Sequence, residues 1–293
     1  MDMIESSILQ HSRLRAVRAL GQQIWLDNLS HNLIASGQLA ELIAVDGIAG
    51  VTSNPAIFHQ AIRHDPAYRT ALPGLRRAVA EPEARYEALV LPDVQRACDL
   101  LAATYADSDG RAGFVSFEVS PRLAHDAAAT VAAARRLWQA INRPNAMIKI
   151  PATPAGIAAL EEVIFAGINV NVTLIFTASQ TAAVRAAHRR GLARRLEAKL
   201  SVQRIASVAS VFISRIDVAV DALLQAGGAP DAAALCGRAA VAAARLAYRD
   251  WQRDSGFAVF AAFGATPQWL LWASTGAKSA ALRDVHYVEA LIG

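Results

Sequence analysis

Ala146-Met147-Ile148-Lys149-Ile150-Pro151 is an apolar run interrupted by a single lysine. A continuous apolar run, as opposed to an alternating one, marks a strand covered on both faces. Similar runs occupy residues 24–27, 50–53, 113–119, 168–174, 205–212 and 270–274. Between them lie alanine- and leucine-rich stretches of helical period, at 36–45, 91–105, 124–139, 153–165, 179–198, 215–224 and 232–251. Strands buried on both sides and alternating with helices predict a parallel α/β sheet.

The polar interruptions choose between the parallel folds. Asp27, Asn54, Glu118, Lys149, Asn171, Thr173 and Ser210 all fall at or near the C-terminal ends of these strands. In a TIM-type (β/α)8 barrel those ends converge on one mouth, where the chemistry is done. A doubly wound sheet also binds ligands at its carboxyl edge, but it calls for a glycine-rich phosphate loop after the first strand. Here Asn28-Leu29-Ser30-His31 follows, and no G-x-G-x-x-G occurs along the chain, which argues against a dinucleotide site. With 293 residues, 54% of them hydrophobic, residues 1–293 are expected to form one barrel domain.

The formal charge of +4 is mild, and only 18% of residues are charged. Its arginines (Arg135, Arg136, Arg189, Arg190, Arg194, Arg195) scatter along helix faces, so a nucleic-acid partner is not expected, whereas small anions remain compatible. Residues 255–277 are uncharged and long enough to span a bilayer. Gly256, Gly264, Pro267 and Gly276 break them into helix, turn and strand, so no membrane association is expected. The first eighteen residues carry Asp2, Glu5, Arg13, Arg15 and Arg18 without the apolar run of a signal peptide. Cys98 and Cys236 lack metal or redox spacing, which fits reduced thiols in a cytoplasmic protein.

Lysine usage carries the chemistry. Three lysines (Lys149, Lys199, Lys278) stand against 26 arginines. Arginine substitutes for lysine at most solvated positions but cannot act as an amine nucleophile. Burial of Lys149 in an apolar strand disfavours the ammonium and leaves the amine that imine chemistry needs. A snorkelling lysine, or one paired with Glu118, reads the same way in isolation. Glu118 is itself a carboxylate in an apolar strand, costly without a role, and suited to holding a water. A Schiff-base reaction also needs a proton taken from a substrate hydroxyl as a carbon–carbon bond breaks. Asp27 fits that step, with Glu118 and Thr173 holding the water; Asp27 fits equally well as a helix N-cap.

Asn54, before Pro55 at a strand-to-helix turn, offers its amide to substrate hydroxyls, as do Asn171 and Thr173, two apart on one strand. Phosphate candidates are Ser210, Arg215 and the stretch Ser274-Thr275-Gly276-Ala277-Lys278, because late βα loops form the usual phosphate corner of a barrel. Each residue, taken alone, is equally an ordinary structural one. The histidines are not spaced for a metal, and no metal is expected.

Taken together, residues 24–30 (IWLDNLS), 50–58 (GVTSNPAIF), 115–126 (VSFEVSPRLAHD), 148–151 (IKIP), 169–176 (NVNVTLIF), 204–217 (RIASVASVFISRID) and 271–278 (LWASTGAK) resemble the transaldolase family, in its longer bacterial type. The resemblance covers residues 23–293. It implies that Lys149 forms the Schiff base, Asp27 is the acid/base, and Glu118 and Thr173 hold the water. It further implies that Asn54 and Asn171 bind a dihydroxyacetone moiety, that Ser210 and Arg215 bind phosphate, and that Phe212 walls the pocket. Ser274 and Lys278 join the phosphate group less directly. The implied reaction needs no cofactor: a dihydroxyacetone unit passes from sedoheptulose 7-phosphate to glyceraldehyde 3-phosphate, giving erythrose 4-phosphate and fructose 6-phosphate in the pentose phosphate pathway. Members of that type continue past residues 287–293 into a further strand and helix, so a barrel short of its eighth βα unit is expected. The edge so exposed would call for a partner, a homodimer among them, or for the N-terminal segment. A class I aldolase releasing dihydroxyacetone to water is the nearest rival; a sugar-phosphate-binding or interaction barrel that has lost turnover is another.

Overall fold

The computed structural model describes residues 12–228 and 231–292. Residues 1–11 of the stretch read above for a signal peptide, and Gly293, lie outside the described residues. The chain divides into two compact units. One runs to Leu123 and takes in Ala129–Lys149; the other holds Ala124–Ala128 and the chain from Ile150 onward.

In the first unit, β1 (Trp25–Asp27), β2 (Gly50–Thr52), β3 (Phe114–Glu118) and β4 (Ala146–Pro151) pair in that order, every pairing parallel. The last two residues of β4 fall in the second unit, where the Ala152 N–H donates to the Thr173 carbonyl at 2.7 Å. There β5 (Val170–Ile175), β6 (Ser207–Phe212) and β7 (Trp269–Ala273) also pair in parallel and in sequence order. A doubly wound sheet reverses its strand order at a switch point. Neither unit contains such a reversal, and helices separate successive strands, which is (β/α)-barrel connectivity. The seven strands among the described residues are those marked by the apolar runs, with ends displaced by one or two residues.

Local chemistry sets where the helices begin. Asn54, Asp65, Thr153 and Thr177 each accept a backbone N–H from the first turn, and a proline follows the first three. Gly156 is required by contact: a Cβ there would lie 1.9 Å from the Pro151 carbonyl oxygen, so the helix Pro154–Phe165 packs directly on the end of β4.

Three helical expectations change; in one, the helix expected at 232–251 is broken into Ala232–Leu235 and Ala239–Gln252, with Gly237 at a left-handed φ of 73° between them. The helix expected at 36–45 starts at Gln38, because Gly37 takes a left-handed φ of 79° between it and a separate helix His31–Ala35, and after Glu41 it continues as a π-helical turn, Leu42–Asp46. The helix expected from residue 91 starts at Pro82 and continues through Pro92, held by buried Leu89, Val90 and Val94 on either side of the proline. β4 and β6 are buried along their whole length, whereas β1 and β7 are half-exposed.

Candidate active site

Register decides which side chains share a face. In the first unit Asp27 stands opposite Thr52, Thr52 opposite Ser116, and Glu118 opposite Lys149. Residues in register, and residues two apart on one strand, project to the same side. Asp27, Thr52, Ser116, Glu118 and Lys149 therefore face one way, at the C-terminal ends of their strands. Lys149 is buried, 6% exposed, and three oxygens surround its Nζ: Ser53 O at 3.2 Å, Thr52 Oγ1 at 3.4 Å and Glu118 Oε2 at 3.4 Å. Three acceptors match the three N–H donors of an ammonium. A buried pair of this kind costs desolvation that its own attraction hardly repays, which points to a use beyond stability.

The capping alternative for Asp27 is settled locally. Ser30 caps the helix His31–Ala35, accepting from the Leu33 N–H at 3.1 Å, and Asp27 ends β1 with its side chain exposed. Asn54 takes the structural role the sequence allowed it. Its Oδ1 caps the helix Pro55–His64 by accepting from Ile57 N–H at 3.0 Å, which leaves the Nδ2 amino group as the donor it can offer elsewhere. Beside Glu118, Tyr86 stacks on Phe117 at 6.1 Å, and burial, then the Glu118 charge, pushes its hydroxyl above the usual range.

In the second unit the same register logic puts Asn171, Thr173, Ser210 and Phe212 on one face. The Ser210 hydroxyl donates to Asn171 Oδ1 at 2.7 Å, which fixes the amide with its Nδ2 group turned the other way. Thr173 lies at a β-bulge: from Val172 to Ile175 β5 takes three steps where β6 takes two, and Leu174 carries a left-handed φ of 61°. Left-handed backbone at a leucine is strained by about 1–2 kcal/mol, and bulges of this type re-aim side chains beside functional sites. The Arg215 guanidinium lies 4.7 Å over the Phe212 ring, whose other neighbour is Phe176 at 5.4 Å. A guanidinium held over a ring in this way is placed without spending its N–H donors on the ring.

Ser274 follows β7 with a φ of 57°, its hydroxyl 2.9 Å from that of Ser214 and its carbonyl accepting from Ser214 N–H at 3.0 Å. Lys278 is exposed on the loop beyond. Contacts therefore join Glu118 to Lys149, Ser210 to Asn171, and Arg215 to Phe212; Ser274 is tied to Ser214 instead of to another candidate. Thr52 and the Ser53 carbonyl were missed as lysine partners, although the polar strand end at Thr52 was a readable signal. No group of three or more His, Cys, Asp or Glu side chains that could hold a metal gathers among the described residues.

This arrangement can be set beside known proteins. A family model described as Transaldolase/Fructose-6-phosphate aldolase matches residues 24–293. The chain belongs to the transaldolase/fructose-6-phosphate aldolase family. Among its relatives, a protein named Transaldolase from Thiobacillus denitrificans is 50% identical over 280 residues, covering 94% of this chain and 78% of its own length. One of the same name from Neisseria gonorrhoeae is 50% identical over 283 residues, covering 96% and 78%. A third, from Mycolicibacterium smegmatis, is 44% identical over 286 residues, covering 97% and 77%. The family's TIM-type barrel agrees with the sequential parallel strands of both units.

Proposed function

We infer that this chain is a transaldolase, a transferase that moves a dihydroxyacetone unit between ketose and aldose phosphates. The observation that supports the reading most directly is Lys149, buried in β4 with its Nζ among oxygens and Glu118 opposite, in a chain half identical to proteins named Transaldolase.

In the proposed mechanism the Lys149 amine adds to the C2 carbonyl of fructose 6-phosphate or sedoheptulose 7-phosphate. A water held by Glu118 and Thr173 relays protons as the carbinolamine loses water and becomes an iminium. Asp27 then takes the proton of the C4 hydroxyl. The C3–C4 bond breaks, its electron pair passes into the iminium to give an enamine on Lys149, and the aldose phosphate leaves. The acceptor aldehyde runs these steps backwards, and water returns the amine.

Asn54 and Asn171 are assigned to the hydroxyls of the three-carbon unit through their Nδ2 groups. Ser210, Arg215, Ser274 and Lys278 are assigned to the phosphate, and Phe212 to the wall. The two units are proposed to act as one catalytic domain. A cytoplasmic setting accords with two free cysteines, Cys98 and Cys236, and no helix among the described residues is long and apolar enough to cross a membrane. Sugar phosphates are the proposed partners, with a homodimer as the assembly and no nucleic acid bound.

Borohydride reduction in the presence of fructose 6-phosphate, followed by peptide mapping, should place the adduct on Lys149. Well-folded protein without it refutes the assignment. Product analysis separates the aldolase: free dihydroxyacetone formed from fructose 6-phosphate as fast as transfer to erythrose 4-phosphate would rule out the transferase.

A further inference from the structure

Asp93 is a buried charge that the reaction above leaves unused. It lies on Pro82–Leu100, 3% exposed, and its carboxylate meets two groups among the described residues. The Tyr68 hydroxyl donates to Oδ2 at 2.6 Å, and His31 Nδ1 lies 3.1 Å from Oδ1. A carboxylate this deep costs more than an apolar side chain of its size, so what its partners hold must account for it.

Those partners hold the start of the helix His31–Ala35. The Tyr68 hydroxyl accepts from the His31 backbone N–H at 3.1 Å, and the two rings meet edge to face at 6.1 Å. Burial, then the hydrogen bond to Asp93, pushes that hydroxyl above its usual range, so it stays a donor to the carboxylate. The next amide, Asn32 N–H, goes to Asp65 Oδ2 at 2.8 Å, and the one after, Leu33 N–H, to Ser30 Oγ at 3.1 Å. Three consecutive amides are thus held by side chains, two of them from residues more than thirty positions away. A five-residue helix does not stand by its own hydrogen bonds. The loop leading into it, Asn28-Leu29-Ser30, starts directly after Asp27 at the end of β1 and is pinned at its centre by fully buried Leu29.

We propose that Asp93 and Tyr68 are positioning residues for Asp27: acting through His31, they fix the three-residue loop that follows Asp27, and with it the end of β1 from which the Asp27 carboxylate meets the substrate hydroxyl. The inference rests on the roles given above to Asp27 and Lys149. Asp27 acts in carbon–carbon cleavage and not in imine formation on Lys149, so a loosened loop should separate the two steps. Misplacement by about 1 Å is enough to cost on the order of a hundredfold in rate.

Two rates are measured on Tyr68→Phe and Asp93→Asn: borohydride trapping with dihydroxyacetone, which needs Lys149 and no cleavage, and glyceraldehyde 3-phosphate release from fructose 6-phosphate. The expected result is trapping within about twofold of wild type with release reduced roughly ten- to a hundredfold, Asp93→Asn the more severe. Release at the wild-type rate in both variants overturns the proposal. So does a parallel fall of both rates in Tyr68→Phe, which would show a general structural loss. Wild type that traps no dihydroxyacetone on Lys149 instead fails the site assignment itself, and this inference with it.

Discussion

Glu118 Oε2 lies 3.4 Å from Lys149 Nζ, and the two residues stand opposite each other in the β3–β4 register. A carboxylate so placed can take the ammonium proton before attack and return protons through a water afterwards. Glu118→Gln keeps the shape and removes the base. Transfer should fall by about 10²–10⁴-fold, the usual worth of a placed acid/base, with slower imine trapping in stopped-flow or quench experiments. Wild-type trapping by this variant would remove Glu118 from the proton relay.

Lys149→Arg isolates nucleophilicity from charge. The guanidinium can still face Glu118, so little stability should be lost, yet it cannot give up a proton and attack a carbonyl. The expected variant has a melting temperature within a few degrees of wild type, no borohydride adduct and no detectable transfer. Residual turnover with a trapped adduct elsewhere in the chain would point to Lys199 or Lys278.

Arg215 over Phe212 makes a separate claim, about the phosphate. Removing a hydrogen bond to a charged group costs about 1.5–3 kcal/mol, roughly ten- to a hundredfold. Arg215→Ala should therefore raise KM for fructose 6-phosphate by about that factor while dihydroxyacetone, which has no phosphate, is trapped at the wild-type rate. Equal losses with both substrates would mean that Arg215 serves the pocket's structure. Phe212→Leu, which removes the stacking face, should give a smaller change in the same direction.

The strands were legible because burial on both faces writes itself as unbroken apolar runs, and because a polar residue in such a run has few reasons to be there. Lys149, Glu118 and Asn171 stood out for that reason. The bulge at Thr173 and Leu174 was not legible: nothing in Asn-Val-Thr-Leu-Ile signals a left-handed leucine, which tertiary packing imposes. The brace on His31 was equally hidden, since Tyr68, Asp93 and Asp65 are distant in sequence and lie in, or for Asp65 cap, helices whose limits the sequence read late or not at all. Gly237 shows the local failure, because one left-handed glycine divides the stretch 232–251 that reads as a single helix.

His188 gives the stability prediction. It is fully buried on Ala178–Glu197, stacked on Phe257 at 6.3 Å, and neither ring nitrogen has a hydrogen-bond partner among the described residues. Around it Arg185 and Arg189 both meet Asp254; Arg185 Nε lies 2.7 Å from Oδ2, but out of line for a hydrogen bond. Burial, then the Arg189 charge, lowers the folded-state pKa to about 4, against an unfolded value near ~6.5. Between those values the unfolded chain takes up a proton that the folded chain refuses, so the contribution of His188 is complete above about pH 6.5 and is lost as pH falls towards 4. The whole effect is on the order of 3 kcal/mol. Denaturant midpoints for wild type and His188→Phe, taken from pH 7 to pH 4, should show the wild type losing stability over that window more steeply than the variant, whose phenyl ring can keep the stack without titrating. Parallel curves would mean that acid sensitivity originates elsewhere, with the Arg185–Asp254–Arg189 cluster the next place to test.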